Sequence, residues 1–130
     1  MPIALLLTIG LHMAGALFWL LTSLVLGFGQ PATASTRLFR PQMVAATVAV
    51  FSGGGLWTML HPGSFGRPEM VLAAGAVMAI AAAGVQGALV GGGVRRLPDP
   101  AAAAKVLRGQ KIASVLLLLT FACMMLAKHV

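Results

Sequence analysis

Few side chains in this 130-residue chain can ligate a metal: three histidines, one cysteine, two carboxylates and eight methionines. His12 has the most unusual setting, because every other residue from Ile3 to Gly29 is uncharged. An ionisable group inside an apolar span is costly, turns toward protein or cofactor rather than lipid, and marks a functional site by default. Three roles are open to it. Neutral imidazole is a standard axial ligand of haem. Imidazole, thioether and thiolate together suit Cu(I). A histidine that only bonds Thr8 or a backbone carbonyl needs no ligand at all. The chain has no paired carboxylates, no Ser-His-Asp set and no phosphate loop, which argues against hydrolytic and nucleotide chemistry.

The elements that must position His12 follow from composition. The chain is 59% hydrophobic and only 8% charged, against about 25% charged in an ordinary soluble domain. One membrane span needs about 20 apolar residues, and four such runs occupy nearly the whole length. The expected fold is therefore all-α, an integral membrane four-helix bundle forming a single domain over 1–130. Its spans are expected near 3–28, 42–60, 69–94 and 107–128. Gln30-Pro31 ends the first, since proline cannot continue a helix. Pro41 suits the first turn of the second, and His61-Pro62-Gly63 closes it. Gly53-Gly54-Gly55 lies within that second span and offers close approach to a backbone or a flat ligand. In the third span Gly75, Ala79, Ala83, Gly87 and Gly91 recur at every fourth position, a stripe suited to tight helix packing. The N-terminal run lacks a basic leader and exceeds the roughly 7–15 apolar residues of a signal peptide, so it reads as a retained span.

Net charge is +7. Arg37, Arg40, Arg95, Arg96, Lys105, Arg108 and Lys111 flank the two loops on one side. Arg67 and Lys128 lie on the other. The positive-inside rule then puts both termini outside, in what reads as a bacterial inner membrane. The lipid bilayer is the first partner, and so short a chain is expected to act as a homo-oligomer or as one subunit of a membrane complex. No basic groove with aromatic platforms is available, so nucleic acid is not an expected partner. Cys123 stands alone in the fourth span and excludes an internal disulfide.

This topology gathers the candidate ligands in the outer half. His12 lies roughly 14 Å deep at 1.5 Å per residue, and His61 and His129 end spans two and four. Met13, Met59, Met70, Cys123, Met124 and Met125 share that half. On the helix, Leu5, Thr8, Gly15, Ala16, Trp19, Thr22 and Ser23 share the His12 face and mark it as interior. Leu6, Leu17, Leu20, Leu21 and Leu24 form the opposite face. His61, Trp57, Gly54 and Gly53 share a face of span two. Thr120, Cys123, Met124, Ala127 and Lys128 share one side of span four. Candidate cofactor-binding residues are thus His12, Trp19, Gly54, Trp57 and Lys128, and candidate metal ligands are His12 and His61. No catalytic residue is singled out.

The segment Leu11-His12-Met13-Ala14-Gly15-Ala16-Leu17-Phe18-Trp19 resembles the first helix of the HemJ-like membrane protoporphyrinogen oxidases and their copper-resistance-D-like relatives, with Leu-His and then a tryptophan seven residues on. Arg37-Leu38-Phe39-Arg40-Pro41-Gln42-Met43 followed by Gly55-Leu56-Trp57 is similar to that family's basic loop and second helix. Arg108 and Lys128 are similar to the start and finish of its fourth. The resemblance implies a four-helix membrane bundle in which His12 ligates haem b. Two places depart from the pattern: Arg67-Pro68-Glu69-Met70 replaces a Trp and Lys opening, and Arg108-Gly109-Gln110-Lys111 replaces an Arg-x-x-Asn-Glu sequence. These departures bear on porphyrinogen oxidation more than on haem binding. The expectation is a haem b-binding membrane redox protein, for electron transfer or for porphyrinogen or quinol oxidation. The alternatives are a copper-handling protein and a structural subunit.

Overall fold

The computed structural model describes residues 2–63 and 65–130. Four helices are long and apolar enough to cross a membrane. They are α1 (Ile3–Phe28), α2 (Ala34–Leu60), α3 (Arg67–Val94) and α4 (Pro100–Leu126). A π-helical turn, Gln86–Val90, interrupts α3, and a 3-10 turn, Ala127–His129, follows α4. The described residues contain no strand. The fold is an all-α, four-helix bundle of membrane-spanning type.

The limits of α1 coincide with the expected span, but α2 and α4 begin earlier than expected. Pro41 lies inside α2 rather than at its start. A proline there forfeits one backbone bond, yet the helix runs on toward its N-terminus because that extra turn has partners. Ser35 is fully buried, and Phe39 packs on Gly91 so tightly that a Cβ there would sit 2.9 Å from the ring. Helix α4 begins at Pro100, in the first-turn position proline tolerates. Asp99 caps it by accepting from the Ala101 N–H at 3.3 Å. Ala101–Ala104 then supply strong helix formers, so the helix extends beyond the stretch that hydropathy marks as membrane-embedded. At the start of α3, the Glu69 carboxylate accepts from the Gly66 N–H at 2.8 Å and satisfies one of the orphan donors of a helix end.

Helix α1 packs most extensively on α2, and α3 on α4; α1 also packs on α4, whereas α2 and α3 meet along a thin seam. The main apolar core is Trp19, Ala45, Ala46, Ala49, Ala82, Ala113 and Leu117. Small residues dominate it because lipid tails are as apolar as side chains, and close van der Waals approach must do the packing. Gly15 seats against the backbone of Ala45 and Ala49, and Gly75 against Thr120 and Cys123. Thus Gly75 and Gly91 of the expected stripe are packing positions, while Gly87 faces open space.

Gly109 offers a direct test of that packing. A Cβ there would lie 2.8 Å from Leu89 Cβ and 2.9 Å from Val90 Cγ2. Gly109→Ala is therefore expected to destabilise the bundle by about 1–3 kcal/mol through overpacking. Gly87→Ala should be neutral or gain up to about 1 kcal/mol of helix propensity. Unfolding in mixed micelles, followed by circular dichroism, checks both; equal behaviour of the two variants would contradict the packing described.

Candidate functional site

His12 projects from α1 into its contact with α2. The Nδ1 atom lies 2.9 Å from the Ala49 carbonyl oxygen and 3.2 Å from Ser52 Oγ. A carbonyl can only accept, so Nδ1 carries the proton and donates to it. Ser52 in turn donates its hydroxyl proton to the Val48 carbonyl, leaving oxygen lone pairs toward the imidazole. Nε2 consequently holds the ring's lone pair, and it has no hydrogen-bond partner among the described residues. Thr8 is not a partner of His12; its hydroxyl donates to the Ala4 carbonyl on its own helix.

The three glycines of α2 divide their roles around this ring. A Cβ on Gly53 would stand 3.1 Å from His12 Cε1, so Gly53 makes room for the imidazole itself. Gly55 stands against the Thr8 methyl, and the Cβ position of Gly54 meets nothing within 4 Å. Gly54, between two glycines that both face α1, is exposed and takes no part in the His12 contact.

Trp19 is two turns below His12 and belongs to a different feature. It is almost fully buried, and its indole N–H donates to Gln86 Oε1. That contact opens onto a polar network through the middle of the bundle. Gln86 Nε2 donates to Ser23 Oγ at 2.7 Å and to Gln110 Oε1 at 3.0 Å. Gln42 Nε2 donates to Gln110 Oε1 at 3.2 Å, while Gln110 Nε2 returns a bond to Gln42 Oε1 at 2.9 Å and reaches Ser35 Oγ at 3.3 Å. All four helices contribute, and each of the three glutamines is fully buried. Sequence reasoning missed this network. The visible signal was one glutamine in each of three spans, all in the half nearer the basic loops.

At the other end of the bundle, His61 Nδ1 lies 2.6 Å from Glu69 Oε2 and ties the end of α2 to the start of α3. Trp57 stacks obliquely on His61 and on Phe65, with ring centroids 6.1 and 6.2 Å apart. Ser64, in the intervening loop, lies outside the described residues. Lys128 and His129 are exposed in the terminal 3-10 turn. Among the described residues, no three His, Cys, Asp or Glu side chains are grouped as a metal site would require. The structure therefore joins Trp57 to His61, and His12 to Gly53, but commits Trp19 to the glutamine network.

Comparison with protein-family models, curated proteins and solved structures returned no match.

Proposed function

We propose that the chain is a haem b-binding membrane redox protein in which His12, through Nε2, would hold the haem. The observation that supports this reading is the bond from Nδ1 to the Ala49 carbonyl. A ligating histidine characteristically donates its other N–H to a carbonyl or carboxylate, which fixes the tautomer and raises the basicity of the free nitrogen. His12 is only half-buried, and among the described residues no buried side-chain polar atom lacks a partner, so its unbonded Nε2 is reachable from outside the helix contact. The residues that would hold the group are His12 through Nε2, Trp57 toward the outer end, and Lys128 and Arg67 as cations for propionates at that end. Bound haem would supply one-electron chemistry. The chain's part is to hold the imidazole through Ala49 and Ser52, with Gly53 making room for the ring. The copper alternative is less well supported, because among the described residues no three His, Cys, Asp or Glu side chains gather into one ligand set.

In the same reading, the seven basic residues flanking the α1–α2 and α3–α4 connections face the cytoplasm of a bacterial inner membrane, and both termini face outward. His12 is only half-buried, so a second copy or a companion subunit would complete the cover of a group bound there. Substrate electrons would come from a quinol or a porphyrinogen, or from another redox protein.

Protein purified in detergent from haem-replete cells is expected to show a Soret band, and its pyridine haemochrome spectrum should be of b type. A colourless protein that also fails to take up added hemin would overturn the proposal.

A further inference from the structure

The corner where α3 meets α4 holds a notch of about 110 Å³ lined by Gly92, Gly93, Arg96, Asp99, Ala101, Ala102 and Lys105. At about 30 Å³ per liquid water, that is room for roughly four waters or one compact polyatomic ion. Arg96 and Lys105 bring two positive charges to it. Asp99 is the single carboxylate of the lining, and its Oδ1 is turned onto the Ala101 N–H. Among the described residues neither cation forms an ion pair; the one ion pair found, His61–Glu69, is at the opposite end of the bundle. Gly92 forms part of the floor, and a Cβ there would lie 3.7 Å from Lys105 Nζ. Gly93 cannot be larger, because its Cβ would sit 2.5 Å from Val106 Cγ2. The wall of the notch is thus held close by helix packing, and its lining carries a net positive charge, Arg96 and Lys105 against Asp99.

We propose that this notch binds a phosphate group, presented by an anionic lipid headgroup or as free phosphate. Basic pockets at the ends of membrane helices bind such headgroups, and each nearby Lys or Arg contributes on the order of 1 kcal/mol. The site is independent of His12 and of any haem. It differs from a general basic surface in having a shape, which gives a test that charge alone does not.

Delipidated protein in a neutral detergent is titrated with phosphatidylglycerol, and bound lipid per chain is counted by native mass spectrometry. The expected result is one tightly held lipid in the wild type and about 30-fold weaker binding in the Arg96→Gln, Lys105→Gln double variant. Gly92→Leu keeps every charge but fills the floor, and should weaken binding comparably. A control double variant, Arg67→Gln with Lys128→Gln, should bind as the wild type does. Displacement of the lipid by millimolar inorganic phosphate identifies free phosphate as the ligand; retention identifies the lipid. Equal losses in the two double variants, or unchanged binding in Gly92→Leu with native circular dichroism, would overturn the proposal.

Discussion

Gln110→Leu is expected to lower the stability of the bundle by about 2–3 kcal/mol, among the largest effects of any single polar-to-apolar change in this chain. The side chain is fully buried and makes four amide contacts, accepting from Gln42 and Gln86 and donating to Gln42 and Ser35. Removing it leaves Gln42 Oε1 and Ser35 Oγ without these partners, at about 1–3 kcal/mol for each orphaned group. Gln42 and Gln86 keep Ser23 Oγ as a second acceptor, which limits the loss. Interhelical bonds in membrane proteins average nearer 0.6 kcal/mol, because the unfolded chain in lipid finds other partners; that places the expectation at the lower part of the summed range. Steric-trap or denaturant unfolding in bicelles measures it. Gln110→Glu would bury a charge and should be worse. A Gln110→Leu protein as stable as the wild type would mean that the network sets helix register without contributing to stability.

The second large effect concerns His12. His12→Ala is expected to abolish the Soret band, with haem affinity falling more than about 100-fold, since loss of even an outer-sphere partner of a metal ligand costs 10–100-fold. The α1–α2 contact should survive, because Gly15, Ala45 and Ala49 pack it independently of the imidazole. Free imidazole added to the variant should restore the band in part. Gly53→Ala offers an intermediate case: its methyl would press the ring at 3.1 Å and should weaken binding without abolishing it. A His12→Ala protein that retains a full Soret band would place the ligand elsewhere.

The number, order and approximate extent of the helices were legible because hydropathy over about 20 residues is a strong signal. The inward face of α1 was legible too: Gly15, Trp19 and Ser23 are buried, while Leu6, Leu17 and Leu21 are exposed. What could not be read was how the faces combine. Leu20 was assigned to the lipid side by periodicity, yet it packs against the core. Trp19 looked like a companion of His12 because both lie on one face, but its N–H goes to Gln86, the first residue of the π-helical turn in α3. A backbone carbonyl was among the partners open to His12, and it is the one found, but which carbonyl was hidden. A backbone carbonyl 37 residues away leaves no trace in composition, and the triple glycine that hinted at a ligand cavity partly serves the imidazole ring instead. The early starts of α2 and α4 escaped notice because proline and charge mark the edge of the apolar stretch, whereas Ser35, Phe39 and the Asp99 cap determine where the helix begins.

The extensive contacts of α1 with α2 and of α3 with α4 bear on how the chain is made. Synthesis delivers α1 and α2 first, and as a hairpin they can close around Gly15 and Ala49 while the rest is still being translated. At that stage Gln42 has Ser23 as its one glutamine-network partner on α1. Gln110 is 68 residues downstream, a delay of roughly 3–14 s at ordinary elongation rates. During that interval the first hairpin carries a poorly paired amide within the bilayer, a hold for whichever helix next presents a matching group. The arrival of the second hairpin fills that place and closes the exchange between Gln42 and Gln110. An apolar helix could slide past this point in many registers, whereas the Gln110 amide meets Gln42 and Ser35 in one, so the exchange fixes the register of the second hairpin against the first.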